Sequence, residues 1–300
     1  MNRYLIILIF SLLHVSFASG KLFSNDYAEL RTRLADIIAP YDAKVGIAAI
    51  VDGHDTICIN NDDRYPMMSV YKFHQALAVA SILEQKGISL DSLIYIKKEE
   101  LVPDTYSPFR DTYPEGNAYF PISELLIYTL QLSDNNACDI LFRHLLGVEE
   151  TDAALRKMGI DHFAISATEE AMHSDTKKCY DNWSTPLSSA VLLDRFVAGK
   201  IVSGIYYQFI QETMLNCTTG AERLYAGLPK GNVRLGHKTG TSGCSDQGKY
   251  IGVNDIGFVY LPGDRRYTVA VYVKDSNQKL GDTEEIIAKV SAELYSVLSK

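Results

Sequence analysis

The strand-like and helix-like parts of this sequence are separated along the chain, and this separation most strongly constrains the fold. Strand-like apolar runs occur near the two ends of the chain. They are Val45–Val51, Thr56–Asn60, Val233–Thr239, Asp255–Leu261 and Tyr267–Val273. Residues 69–216 carry helical spacing instead. We therefore expect an α/β (α+β) fold, in which an antiparallel sheet is formed from both chain ends, flanked by terminal helices, with an all-α domain inserted.

Helix and turn signals set the expected boundaries. Asp52-Gly53 and Pro262-Gly263-Asp264 predict turns between strands, and Gly87 predicts a helix end. The predicted helices are 26–39, Ser69–Lys86, Ile122–Gln131, Asn135–Leu146, Pro186–Ala198, Tyr206–Leu215 and Thr283–Leu298. We expect residues 21–66 and 217–300 to form an α/β domain and residues 67–216 an all-α domain, with the active site at their interface.

The first twenty residues have the layout of a secretory signal peptide. Arg3 precedes an apolar run from Tyr4 to Val15, and small residues follow up to Gly20. A membrane anchor is the alternative, but the run is shorter than the roughly 20 residues that a spanning helix needs. We expect cleavage after Ala18 or Gly20 and a periplasmic protein without a membrane anchor.

The charge balance excludes some classes of partner. The chain has 29 basic and 37 acidic residues, a net charge of −8. Loss of residues 1–20 removes Arg3 and no acid, so the mature balance is 28 minus 37, or −9. A surface with this net charge does not favour nucleic acid or anionic membranes. We therefore expect neither as a partner.

Cysteine and histidine patterns do not indicate a metal site. The five cysteines are an odd set without a C-x-x-C pair, so at least one is unpaired and the pairing of the others stays open. The seven histidines include no H-E-x-x-H cluster. We expect neither a metal nor another cofactor.

Three short polar motifs carry the chemistry. They are Ser69-x-x-Lys72, Ser133-Asp-Asn135 and Lys238-Thr-Gly240. The S-x-x-K pattern also occurs at 174–177 and 276–279, but only the first copy precedes the other two motifs in the right order.

Ser69 and Lys72 are expected at a helix N-terminus, where a spacing of three places both side chains on one face. Unpaired N–H groups there can stabilise a developing oxyanion, and apolar neighbours would favour an uncharged lysine that accepts a proton from Ser69. The alternative is a helix-capping serine and a solvated lysine.

In order and separation, the three motifs resemble the active-site signature of class A serine β-lactamases. Tyr106-Ser-Pro108, Asn135-Asn136 and Thr218-Thr-Gly220 strengthen the likeness, which covers essentially the whole mature chain. The amino-acid sequence of residues 65–74 is most similar to the Bacteroides-type cephalosporinase branch. The resemblance implies a β-lactamase/transpeptidase-like fold, a monomer and a small-molecule β-lactam substrate.

The resemblance also implies roles for individual residues. Ser69 would attack the lactam carbonyl with help from Lys72, and Ser133 would pass a proton to the lactam nitrogen. Lys238 would place a positive charge beside Ser133 and the substrate carboxylate.

The same resemblance implies a substrate-binding set. Thr239 of the Lys238-Thr-Gly240 motif would bind the substrate carboxylate. The main-chain N–H groups of Ser69 and Thr241 would form the oxyanion hole. Asn135 would hold the substrate's amide side chain, and Tyr106 would wall the cleft.

Release of the acyl-enzyme needs a base that activates water. In Thr168-Glu169-Glu170-Ala-Met-His173, Glu169 matches the family's catalytic position, and its neighbour Glu170 is the alternative. His173 stands where most members have an Asn that helps to hold the water, and a neutral imidazole could do this with one nitrogen only.

The same segment departs from the family in two further ways. Glu170 replaces a frequent proline, so we predict a trans peptide bond before it. Ala167 and Asn182 replace an Arg and an Asp that commonly form a salt bridge, so the loop must be held in another way or be looser.

The family often has an arginine on the strand after the third motif, but none occurs between Lys238 and Arg265. Arg223 matches the position that substitutes for it in other members and would meet the substrate carboxylate. The alternative is an exposed helix arginine.

The leading hypothesis is an exported β-lactamase that hydrolyses penicillins, cephalosporins or both. A D,D-peptidase or transpeptidase acting on peptidoglycan, and a non-hydrolysing β-lactam sensor, share the three motifs. Glu169 favours hydrolysis, and sensors are normally tethered to a membrane.

Overall fold

A computed structural model describes residues 22–231 and 233–300 of the protein, with side chains from Tyr27 onward. The predicted signal peptide lies outside the described residues. The strands are β1 Lys44–Val51, β2 Asp55–Ile59, β3 Tyr65–Pro66, β4 Leu93–Ile96, β5 Ala118–Pro121, β6 Phe163–Ala164, β7 Trp183–Ser184, β8 Arg234–Thr241, β9 Tyr250–Tyr260 and β10 Arg266–Ser276. The helices are α1 Leu22–Ile38, α2 Tyr71–Lys86, α3 Pro108–Thr112, α4 Ile122–Gln131, α5 Asn135–His144, α6 Val148–Lys157, α7 Glu169–Ser174, α8 Pro186–Val197, α9 Gly204–Leu215 and α10 Leu280–Leu298.

The central sheet joins the two ends of the chain, as predicted. Its order is β2-β1-β10-β9-β8, and every neighbouring pair is antiparallel. In the longest-range pairing, Lys44 of β1 lies opposite Lys274 of β10. The mixed helix and antiparallel-sheet fold predicted from the sequence is confirmed.

Each face of the sheet packs against a different layer of helices. Val45 and Ile47 of β1 face a core that includes Leu34 of α1 and Ile287 of α10. On the opposite face, Ala48 joins a larger core formed with helices of the middle segment. Because both faces are covered, β1 is apolar from Val45 to Val51 rather than alternating with polar residues.

The middle segment contains more elements than its sequence predicted. The short helices α3, α6 and α7 and the strands β4 to β7 were not predicted, because most of these segments are too short to establish a period. β9 begins at Tyr250 rather than Asp255, since Gly252 and Asn254 obscure its strand pattern although both are buried.

The start of the predicted helix at Ser69 also differs. A 3₁₀ turn covers Met68–Val70 and the α-helix begins at Tyr71. The helix ends as predicted, at Gly87 in the left-handed conformation with φ 62°. No helix within residues 22–231 or 233–300 is both long and apolar enough to cross a membrane.

Candidate active site

Ser69 lies on a backbone segment that is fastened to the central sheet. The buried amide of Asn254 donates to the main-chain oxygens of Pro66 at 2.9 Å and Met67 at 3.1 Å. Met68 adopts φ 47°, a conformation that non-glycine residues rarely take. The anchor on β9 and this unusual backbone therefore position Ser69 between the sheet and α2.

Gly240 allows β8 to approach this segment closely. A Cβ atom at Gly240 would lie 2.5 Å from the main-chain oxygen of Met67. Only a glycine fits such an approach. The third motif therefore lies directly beside the segment that carries Ser69.

Lys72 is fully buried and contacts three acceptors. Its Nζ donates to the main-chain oxygen of Ser133 at 2.6 Å and to Oδ1 of Asn135 at 2.7 Å, and lies 3.1 Å from Oε1 of Glu169. The apolar enclosure expected from the sequence is wrong, because these distant polar groups surround the amine. Lys72 therefore joins the first motif to the second motif and to the Glu169 loop, residues 165–182 between β6 and β7.

The carboxylate of Glu169 faces Ser69. Its Oε1 accepts from the Ser69 hydroxyl at 3.5 Å, at the outer limit of a hydrogen bond, and the residue is 8% exposed. Glu170 is exposed. Of the two candidates, Glu169 is the one that contacts the serine and the lysine.

Asp139 on α5 holds the backbone that carries Glu169. Its two carboxylate oxygens accept the main-chain N–H groups of Glu169 and Glu170, each at 2.8 Å. Burial, and then the negative charge of Glu169, raise the pKa of Asp139 to about 6. This attachment was not predicted, although a buried acid one turn after Asn135 was a signal that could have indicated it.

Asn182 fixes the same loop near its two ends. Its Oδ1 accepts the N–H groups of Ser166 at 2.8 Å and Ala167 at 2.9 Å, and its Nδ2 donates to the oxygen of Ala167 at 2.8 Å. The Asn182 main-chain oxygen also accepts the N–H of Met67 at 2.8 Å. The loop that lacks the common salt bridge is therefore held by a neutral amide.

Two predictions about the loop have different outcomes. The peptide bond before Glu170 is trans, as predicted, since no cis peptide bond occurs in the described ranges. His173 is exposed to solvent in the last turn of α7. This exposure does not test its predicted water-binding role, which stays a prediction.

Lys238 of the third motif contacts Ser133 of the second motif. The Lys238 Nζ donates to Ser133 Oγ at 2.8 Å and to the main-chain oxygen of Thr239 at 2.8 Å. Ser133 lies in the connection between α4 and α5 and has a left-handed φ of 59°. Burial, and then the positive charge of Lys72, lower the pKa of Lys238 to about 7.

The remaining residues of the second motif shape the cleft wall. Asp134 accepts the N–H groups of Phe109 at 2.6 Å and Ala137 at 2.8 Å, so it ties the start of α3 to the start of α5. The amide of Asn135 donates to Thr105 Oγ1 at 2.8 Å. Tyr106 is 58% exposed beside it and can contact a bound molecule.

Arg223 is buried, so the alternative of an exposed helix arginine is wrong. Its guanidinium donates to the oxygens of Gly240 at 3.0 Å and Asn254 at 2.9 Å, and to Thr241 Oγ1 at 2.6 Å. The carboxylate of Glu284 balances its charge at 3.1 Å. Through these hydrogen bonds, Arg223 supports the end of β8.

All five cysteines are free, which answers the question of pairing that the sequence left open. The described residues contain no group of three or more His, Cys, Asp or Glu side chains placed to hold a metal ion.

Comparisons with known proteins agree with this geometry. The model of the "Beta-lactamase enzyme family" matches residues 29–298. A β-lactamase of Phocaeicola vulgatus is 36% identical over 294 residues, covering 97% of this chain and 92% of the relative. The crystal structure of the TLA-1 extended-spectrum β-lactamase superposes with a TM-score of 0.89 at 39% identity, covering 92% of this chain and 100% of that one. A class A β-lactamase from Bacteroides cellulosilyticus gives a TM-score of 0.87 at 35% identity, covering 91% and 98%.

Proposed function

The chain belongs to the β-lactamase enzyme family and is a class A serine β-lactam hydrolase of the Bacteroides type, and from this premise we propose that it works through an acyl-enzyme on Ser69. The substrates are penicillins, cephalosporins or both. The carrying observation is the position of the Glu169 carboxylate, 3.5 Å from Ser69 Oγ and 3.1 Å from Lys72 Nζ.

In acylation, Ser69 Oγ attacks the lactam carbonyl and forms an ester bond. Its proton passes into the Lys72 and Glu169 pair, whose nearest atoms are 3.1 Å apart. The main-chain N–H groups of Ser69 and Thr241 stabilise the oxyanion. The close approach of β8 at Gly240 supports this pairing of donors.

Opening of the ring breaks the bond between the carbonyl carbon and the lactam nitrogen. Ser133 donates its proton to that nitrogen and takes up in its place the proton that Lys72 and Glu169 received from Ser69, while Lys238, at 2.8 Å, stabilises the serine oxygen. The nitrogen leaves as a neutral amine within the product.

Substrate recognition uses the cleft around these groups. Lys238 and the hydroxyl of Thr239 bind the substrate carboxylate, and Arg223 strengthens the positive potential from beneath Thr241. The second amide proton of Asn135 binds the carbonyl of the substrate's side chain, and the exposed ring of Tyr106 packs against that side chain.

In deacylation, Glu169 takes a proton from a water molecule whose oxygen attacks the ester. The ester bond to Ser69 breaks and the serine recovers its proton. His173 binds this water through one imidazole nitrogen. A base in this position favours hydrolysis over the D,D-peptidase and sensor alternatives.

The test uses a chromogenic cephalosporin and the two neighbouring glutamates as a matched pair. Glu169→Ala should give a burst of one equivalent followed by a stall, with the acyl adduct detected by mass spectrometry. Glu170→Ala should keep sustained turnover, and Ser69→Ala should form no adduct. Absence of an adduct in Glu169→Ala would show that the base has been assigned wrongly.

Export and substrate range complete the proposal. The first twenty residues support export to the periplasm, and the intact mass of protein from a periplasmic extract locates the cleavage site. Resemblance to an enzyme named as extended-spectrum supports a broad range. Steady-state rates on one penicillin and one oxyimino-cephalosporin measure it.

We further propose that residues 21–66 with 217–300, and residues 67–216, are two domains meeting at this site, and that the protein is a monomer. One of the two clusters of buried apolar residues lies entirely within residues 21–66 and 217–300, which supports the first point. Limited proteolysis and light scattering test these two statements.

A further inference from the structure

Three titratable side chains lie beneath the carboxylate-binding strand, and the mechanism above does not use them. His237 and Thr239 are two residues apart on β8 and therefore share a face of the sheet. Asp255 of β9 lies directly opposite Thr239 and shares that face. Cys217 follows α9, and the negative form of its thiol favours a charged His237.

Asp255 holds His237 in its doubly protonated form. The His237 Nδ1 is 3.0 Å from each carboxylate oxygen of Asp255. Burial opposes a charged imidazole, but Asp255 and then Cys217 outweigh it and raise the pKa of His237 to about 10. The ring therefore donates its Nδ1–H to Asp255 and carries a positive charge.

A row of hydroxyl groups connects Cys217 to the substrate site. The Cys217 Sγ is 3.4 Å from Thr219 Oγ1, which is 2.7 Å from Thr239 Oγ1. Either atom of each contact can be the donor. The other contacts of the sulfur, at 3.9–4.0 Å, are carbonyl oxygens, which can only accept.

Each hydroxyl has one proton, so the row points in one direction at a time. A neutral Cys217 donates to Thr219, Thr219 donates to Thr239, and Thr239 is left to donate to a substrate carboxylate. A Cys217 thiolate only accepts. Thr219 then donates to the sulfur. Thr239 has to donate its proton to Thr219 across the 2.7 Å contact, so that proton no longer reaches the substrate carboxylate.

We propose that Cys217, acting through Thr219, is a positioning residue that sets whether the hydroxyl of Thr239 donates to the substrate carboxylate or back into the protein. This inference rests on the proposed role of Thr239 in binding that carboxylate. It adds a thiol, an imidazole and a second carboxylate to the groups that determine substrate affinity.

The charged neighbours allow this thiol to ionise near neutral pH. Burial opposes ionisation, but the imidazolium of His237 and the ammonium of Lys238 outweigh it and lower the pKa of Cys217 to about 7. To the surroundings of this thiol and of His237, β9 contributes the carboxylate of Asp255, and the end of α4 contributes the carbonyl groups of Leu130 and Gln131. Arg223 is bound to main-chain oxygens and Glu284.

The test compares the wild type with Cys217→Ser across pH, on a β-lactam that carries a free carboxylate. A serine hydroxyl stays neutral and donates to Thr219 throughout. From about pH 6 to about pH 8.5, the kcat/KM of the wild type relative to Cys217→Ser should fall about tenfold, as expected for one hydrogen bond to a charged acceptor. The change should be in KM with kcat unaffected, because Thr239 does not contact the attacking water.

Two controls isolate the row of hydroxyls. Cys58→Ser, a change at another partly buried thiol of the same sheet, should reproduce the wild-type profile. In a Thr219→Val background, Cys217→Ser should have no pH-dependent effect, because the connection is removed. The ultraviolet absorbance of the thiolate is measured as the difference between the wild type and Cys217→Ser. Its midpoint in pH should equal the midpoint of the change in relative kcat/KM.

The inference is overturned if the kcat/KM of the wild type relative to Cys217→Ser does not change with pH. It is also overturned if this ratio increases as pH rises. The second outcome would mean that the thiolate acts mainly by stabilising the Lys238 ammonium. Thr239→Val separates the premise from the inference. If Thr239→Val leaves KM unchanged, the proposed role of Thr239 fails; if it raises KM while the ratio stays flat, only the role of Cys217 fails.

Discussion

The carboxylate of Asp139 accepts the main-chain N–H of Glu169 at 2.8 Å, so one buried acid positions another. Both carboxylates belong to the same compact group around Lys72, and the negative charge of Glu169 is one cause of the raised pKa of Asp139. The residue that positions the proposed deacylating base is therefore itself sensitive to pH.

We predict that acid slows deacylation through Asp139. As pH falls through about 6, the pKa of this carboxyl, protonation replaces one acceptor with an O–H and releases one of the two loop N–H groups. Asp139→Asn has the same single acceptor at every pH. Its kcat at neutral pH should be about tenfold below the wild type, the effect of one hydrogen bond to a charged group, and its pH profile should lack the step near 6. A variant profile identical in shape to the wild type would contradict this assignment.

The same group should affect stability in the opposite direction. Asp139 has a pKa raised from 3.8 to about 6, so the folded state binds its proton more tightly than the unfolded chain does. Stability from this residue is present below pH ~4 and is lost as pH rises to about 6, to a total of about 3 kcal/mol. Urea unfolding of the wild type and Asp139→Asn at both ends of this window measures it. A difference between the two proteins that does not change with pH is the outcome that contradicts it.

Lys238 should determine the alkaline limit of substrate binding. Its pKa is lowered to about 7, so a rise in pH through this value removes the positive charge that faces the substrate carboxylate. KM for a carboxylate-bearing β-lactam should therefore increase above pH 7. The comparison is made in a Cys217→Ser background, which removes the rise in KM expected from the Cys217 thiolate. There Lys238→Arg keeps its charge, and although its larger side chain lowers absolute activity in a buried site, its KM should stay level from about pH 7 to 9. Parallel KM curves for the two proteins would mean that Lys238 does not titrate there.

Gly240 should be intolerant of any side chain. In Gly240→Ala the new Cβ would meet the oxygen of Met67 at 2.5 Å, so β8 or the Ser69 segment must move. We expect a loss of about 1–3 kcal/mol in stability and at least tenfold in kcat/KM. Gly243→Ala is the matched control, since its Cβ would meet nothing within 4 Å. Thermal unfolding and initial rates distinguish the two, and equal behaviour would remove close packing as the reason for this glycine.

Loss of the Asn182 amide should release the Glu169 loop. Asn182→Ala leaves the N–H groups of Ser166 and Ala167 without their buried acceptor, which should reduce stability by about 2–4 kcal/mol and slow deacylation more than acylation. Asp181→Ala, at the exposed neighbouring position, serves as the control. Stopped-flow measurement of the two steps, with unfolding curves for both variants, gives the comparison. Unchanged deacylation would show that Asp139 alone is sufficient to hold the loop.

The sequence predicted those parts of the molecule that depend on local pattern. The glycine end of α2, the start of α8 at Pro186 and the apolar face of α10 all follow from residues a few positions apart. The spacing of the three motifs likewise identified the residues that the fold brings together around Ser69.

Contacts between distant segments could not be predicted in this way. The three acceptors around Lys72, the burial of Arg223 and the row from Cys217 to Thr239 each join parts of the chain that lie far apart in sequence. A lysine or an arginine in a sequence does not show which oxygens will meet it. Only the register of β8 against β9 places His237 and Asp255 on one face.

The attachment of the Glu169 loop through Asn182 also bears on the media in which the enzyme can work. Attraction between opposite charges at a surface weakens as dissolved ions accumulate, whereas the Asn182 amide bonds are buried and carry no formal charge. This attachment of the loop should thus be nearly indifferent to ionic strength, and concentrated salt should leave it in place.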